Sequence, residues 1–147
     1  MHPYPHLYHA SAAGNPAGSV TVTSPQLPDI ETAPPPQFDG PDGVWSPESL
    51  LCASVADCFI LTFRAVSRAA KFDWVKLECR VEGTLERVDG QSQFTRFASH
   101  ATLSVPAGSD EDKARTLLDR AEHGCLVANS LRGARTLETT VIVAASA

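Results

Sequence analysis

Two cysteines have settings that could support chemistry. Cys58 lies inside the apolar run Leu50–Phe63, and Cys125 ends the helix-like segment Ser109–His123. They are too far apart in the chain for any short metal-binding spacing to link them. A thiol buried in mid-helix, with a second thiol at the end of a later helix, suggests redox chemistry through a transient disulfide. From the residues alone a second reading stays open, that both are small apolar core residues, as most free cysteines are. No CxxC occurs, which removes thioredoxin-like and zinc-ribbon arrangements. Cys52 stands six positions before Cys58 and points to a different helix face, so it reads, with Cys79, as core. Asp57 is the odd charge of the apolar run and reads as a polar group satisfied by a partner or an interface. His2, His6 and His9 lie in a Pro-rich tail and read as surface rather than as a metal site.

The elements that position these residues follow from local patterns. Met1–Pro16 reads as a loose N-terminal segment, and Ser19–Ser24 alternates as a strand. Pro25–Pro41 holds six prolines and is expected to be a long extended connection, neither helix nor central strand. Ser46-Pro47-Glu48 opens the first helix with an N-cap, a first-turn proline and an acid at the positive end of the dipole. From Leu50 to Phe63 nearly every position is apolar or small, which predicts a helix covered on all sides. Val75–Val88 and Gln93–Val105 flank the turn signal Asp89-Gly90 and form a hairpin. Ser109–Asp112 caps a second helix whose face is Ala114, Leu117, Leu118 and Ala121, and Leu137–Val143 alternates as a final strand. The order predicts a single α+β domain over residues 1–147 with antiparallel pairing.

Composition narrows the function classes. The chain has 147 residues, 43% hydrophobic and 20% charged, an ordinary globular balance. The net charge of −5, without a Lys/Arg cluster, argues against a nucleic-acid partner. Met1–Ala10 lacks the basic and apolar regions of a secretory signal, and the apolar run looks too short to span a bilayer. A cytoplasmic protein with reduced cysteines and no membrane partner is therefore expected.

The segment Trp45-Ser46-Pro47-Glu48-Ser49-Leu50-Leu51, followed by Ala56-Asp57-Cys58-Phe59, resembles the OsmC/Ohr family, whose members place a cysteine ten residues after the glutamate of a Pro-Glu-x-Leu helix start. Gly124-Cys125-Leu126-Val127-Ala128-Asn129-Ser130-Leu131 resembles the family's second cysteine element, and Phe38-Asp39-Gly40 its upstream Phe-Glu-Gly. The resemblance covers about residues 15–145. It implies an OsmC-like sheet with a buried central helix, a second helix and an intertwined homodimer. It also implies an organic hydroperoxide reductase that uses an external dithiol, of lipoyl type, and no prosthetic group or metal. Carried over by position, Cys58 is the peroxidatic cysteine and Cys125 the resolving one, and Glu48 is the carboxylate that orients an arginine.

One departure matters. The family's arginine would stand near Asn15 or Gln37, yet no Arg or Lys precedes Arg64. Desolvation and a neighbouring carboxylate both disfavour a thiolate, and an arginine would oppose both. Its absence implies a slow nucleophile unless Arg64, Arg132 or Arg135 supplies the charge. The alternative function is an OsmC-fold homodimer without efficient peroxidase activity that binds an apolar small molecule.

Overall fold

Ser46 starts the long helix as its side chain dictates. Its Oγ accepts from the Ser49 amide at 3.1 Å, and its own amide donates to the Ser49 Oγ at 2.9 Å, so two donors at the helix start are satisfied reciprocally. Pro47 takes the first helical position and Glu48 the first turn. In the computed structural model, which describes residues 1–146, this helix runs over Pro47–Ala69 and is α1. Its 23 residues exceed the apolar run, so the length argument against a membrane span fails: α1 is long and apolar enough to cross a bilayer.

The chain divides into two compact units, Met1–Leu50 and the remainder from Leu51. The first holds strands β1 (Ser11–Gly14), β2 (Val20–Thr23) and β3 (Ile30–Thr32), all antiparallel in the order β1-β2-β3. Only β2 was legible from alternation. β1 falls in the segment expected to be loose. β3 falls in the Pro-rich connection, where its three residues form an edge strand between prolines. A single 3-10 turn, Pro36–Phe38, follows. Beyond it Gly40 lies so close to the Pro34 carbonyl that a Cβ would stand 1.7 Å from the oxygen, which gives Phe38-Asp39-Gly40 its glycine.

The second unit carries a three-stranded sheet of β4 (Lys76–Val88), β5 (Gln91–Val105) and β6 (Ala134–Val143) in the order β4-β5-β6. β4 and β5 form the expected antiparallel hairpin, with one register shift at Thr84/Leu85. β6 departs from expectation and pairs parallel to β5, from Arg96↔Ala134 to Val105↔Val143. Alternation reads the same in either pairing. The crossover through α2 (Glu111–Gly124) and the short α3 (Leu126–Asn129) is what returns the chain to start β6 at the same end as β5. Asp110 caps α2 by accepting from the Lys113 amide at 3.0 Å.

The inner sheet face contributes Leu77, Ala101, Leu103 and Val105 to a core closed by Phe59 and Phe63 of α1 and by Ala114, Leu117, Leu118 and Ala121 of α2. Phe63 is fully buried and meets Trp74 edge to face at 5.3 Å. The Trp74 indole N–H donates to the buried Ser67 Oγ at 3.0 Å, so the polar atom inside this core is satisfied.

α1 itself buries one stripe, Val55, Phe59, Phe63 and Ser67, four residues apart. The rest of an almost wholly apolar helix is half-buried or exposed, with Leu61 at 50% exposure. The cover expected on all sides is thus not supplied by the second unit's own sheet. Asp57 is exposed on this helix. Replacing Phe63 by Ala should cost about 3–5 kcal/mol, the usual range for emptying a buried aromatic site. A fall of that size in urea unfolding free energy at unchanged m-value checks it.

Candidate functional site

A second, smaller cluster lies beside the main core. Val55, Phe97, Cys125 and Ala128 are buried there, and Leu51, Cys52, Cys58, Val81, Phe94, Val127 and Leu131 pack around them. Cys58 and Cys125 are thus brought together from helices distant in sequence. Each reaches this place for a local reason. Cys58 stands on α1 one residue before the buried stripe position Phe59, so it borders the packed face and is half-buried. Cys125 caps the start of α3 where α2 ends, and the Asn129 amide donates to its carbonyl at 2.9 Å. Gly124 lets this turn approach α1: a Cβ there would stand 3.3 Å from the Thr62 methyl, one turn beyond Cys58.

The Cys125 sulfur is wholly buried and faces the Val55 carbonyl oxygen at 3.9 Å. Cys58 packs against the same cluster. The Cys58 sulfur lies 3.9 Å from the Thr62 Oγ1, which donates to the Cys58 carbonyl at 2.7 Å. All four cysteines are free thiols among the described residues. Burial, the largest cause, pushes the Cys125 thiol up to about 11. An Ala128 backbone contact opposes this, while the neighbouring Cys58 and the charge of Glu122 add to it. Cys125 is therefore protonated at neutral pH.

The surroundings revise several expectations. Leu51 packs in the thiol cluster, and Phe59 in the main core. Phe94 and Phe97, stacked at 5.3 Å, supply aromatic cover that local pattern did not reveal. Cys52, expected on a separate face, packs in the same cluster and lies against Gly83, and burial pushes its thiol up. Cys79 feels the charges of Glu122 and Cys125, and burial foremost pushes it up to about 11.

Glu48 lies in the first turn of α1, in the first unit, with its Oε2 buried and without a hydrogen-bond partner among the described residues. Arg135, one candidate for the missing cation, is engaged elsewhere: its Nε donates to the Glu122 carboxylate at 2.8 Å. Arg64 and Arg132 are exposed.

The two thiols raised to about 11, Cys79 and Cys125, set a pH dependence. The unfolded chain releases these protons near pH 9 and the folded chain near pH 11, so in that window the unfolded state binds fewer protons. Stability is then fully present below about pH 9 and falls as pH rises towards 11, by at most about 1.4 kcal/mol per pH unit for each thiol. Urea midpoints across that range should decline, and more shallowly for Cys79→Ala than for the parent.

Comparison with known proteins places this arrangement. The family model described as OsmC-like protein matches residues 40–140, which hold Glu48 and all four cysteines. The chain is 28% identical over 102 residues to Peroxiredoxin OsmC of Escherichia coli, spanning 69% of this chain and 70% of that protein. It is 30% identical over 129 residues to the organic hydroperoxide resistance protein of Xanthomonas axonopodis pv. citri, spanning 85% and 86%. Among solved structures, an OsmC-like protein of unknown function from Vibrio cholerae superposes with a TM-score of 0.84 at 14% identity, covering 92% of this chain and all of that one. An organic hydroperoxide resistance protein from Legionella pneumophila superposes with a TM-score of 0.74 at 26% identity, covering 96% and 100%. Fold, sequence match and relatives agree, and the chain belongs to the family of OsmC-like proteins.

Proposed function

We propose that this chain is a thiol peroxidase acting on organic hydroperoxides. The observation that carries the reading is the packing of Cys58 and Cys125, from helices distant in sequence, into one apolar cluster. The Cys58 sulfur attacks the distal oxygen of ROOH and breaks the O–O bond. An alcohol leaves, and the sulfur, oxidised by two electrons, becomes a sulfenic acid. The Cys125 sulfur then attacks the Cys58 sulfur, water leaves, and a disulfide closes. An external dithiol of lipoyl type reduces that disulfide by exchange and becomes a cyclic disulfide itself, with both cysteines returned as thiols. The lining of Phe94, Phe97, Leu51 and Val81 favours alkyl hydroperoxides over hydrogen peroxide. The reading takes place in a reducing cytoplasm and uses no prosthetic group or metal.

In the same reading Glu48 is a cation-orienting carboxylate. Its buried, unpartnered oxygen and the absence of any Lys or Arg before Arg64 favour a second function, an OsmC-fold homodimer that binds an apolar small molecule with little peroxidase activity. A peroxidase assay with cumene hydroperoxide and dihydrolipoamide separates the two. Turnover that is abolished in Cys58→Ser is expected. In Cys125→Ser the first oxidation should persist and dithiol-driven turnover should fall by about a hundredfold, as a resolving step is lost. Tight binding of an apolar probe without turnover in the parent would select the second function.

The uncovered stripe of α1 is assigned to a second copy of the chain, since a surface this apolar is unstable in water. Sedimentation at micromolar concentration should show a homodimer, and Leu61→Glu should shift it to monomer. A monomeric parent overturns the assignment.

A further inference from the structure

Beside the thiol pair lies a set of polar contacts that no step above uses. Arg135 sits at the second position of β6, on the inner face of the sheet, and its guanidinium reaches back to the end of α2. Nε donates to the Glu122 carboxylate at 2.8 Å, Nη2 to the Glu122 carbonyl, and Nη1 to the Asn129 Oδ1 at 2.6 Å. Asn129 in turn donates through Nδ2 to the His123 carbonyl at 3.0 Å. The carbonyls of Glu122 and His123 belong to the last turn of α2, where acceptors have no partner within the helix and a cation suits the dipole. Both side chains of the ion pair are mostly buried, at 23% and 15% exposure, so the contacts are less screened than surface pairs.

The residues tied together at 122, 123 and 129 bracket Cys125. The Cys125 amide itself donates to the same Glu122 carbonyl that Arg135 holds, at 3.4 Å. A disulfide needs its two sulfurs about 2 Å apart with a defined dihedral, so a thiol on an unrestrained turn seldom meets its partner correctly. We propose that Arg135 is a positioning residue for resolution: anchored on β6, it fixes the turn that carries Cys125 against α1 and so sets the rate at which the Cys58–Cys125 disulfide closes.

The inference rests on the peroxidase reading for its physiological oxidant but not for its geometry. Arg135 touches neither sulfur. It therefore acts on the second step and leaves the first alone, a split that general loss of structure would not produce.

The test follows both steps in stopped flow after cumene hydroperoxide is added, with dimedone trapping of the Cys58 sulfenic acid. In Arg135→Ala the sulfenic acid should form at the parent rate and persist about tenfold longer or more before the disulfide closes. Arg135→Lys keeps the charge but not the fork of bonds and should fall between the two. Asn129→Ala, an exposed change, removes one arm and should slow closure in the same direction; it decides the matter if Arg135→Ala does not fold. Closure at the parent rate in the folded variants overturns the inference and leaves the peroxidase reading intact. If the parent forms no sulfenic acid, the peroxidase reading falls. The clamp is then tested with diamide, which takes two hydrogens from the thiol pair without peroxide: slower closure in the variants upholds it and equal rates overturn it.

Discussion

The thiol cluster of this protein depends on one close approach, the seating of the Gly124–Cys125 turn on α1. Cys125 faces the Val55 carbonyl, and Gly124 faces Thr62, so the turn spans the two helical turns that flank Cys58. The lack of a side chain at Gly124 permits the distance, and the buried stripe of α1 fixes which helix face the turn meets. The same approach desolvates Cys125 and packs it into one cluster with Cys58.

Electrostatics and packing pull in different directions around the pair. Packing removes water and surrounds the cysteines with apolar side chains. The same removal of water disfavours thiolates, at Cys79 and Cys52 as well as at Cys125. The charges in the neighbourhood do not correct this. Glu122 adds to the effect, and Arg135, which could have offset it at the sulfurs, is spent on Glu122 and on the end of α2. The charge of Arg135 is thus used to hold a turn in place.

What the sequence made legible was local. The Ser46 cap, the Asp89-Gly90 hairpin, the acidic start of α2 and the spacing of Glu48 to Cys58 all depend on neighbours within a few residues. What escaped depends on distance. The parallel pairing of β6 leaves no mark on its own alternation, and β1 and β3 are too short to show a period. Phe94, Phe97 and Cys52 join the thiol cluster through tertiary packing. Arg135 carried no local signal for its contacts with Glu122 and Asn129. A helix as apolar as α1 was read as enclosed, whereas the second unit encloses only its Val55–Ser67 stripe.

The parallel crossover also bears on when the thiols meet during synthesis. Cys58 is made early, Cys125 much later, and the anchor at Arg135 later still, on the last strand. A strand paired in parallel after a helical crossover docks only when the whole connection has formed, because its contacts close a long loop. A nascent chain therefore lacks the Arg135 contacts to the Cys125 turn until β6 adds to the sheet edge. The last strand to be made is the one that ties down the turn between α2 and α3.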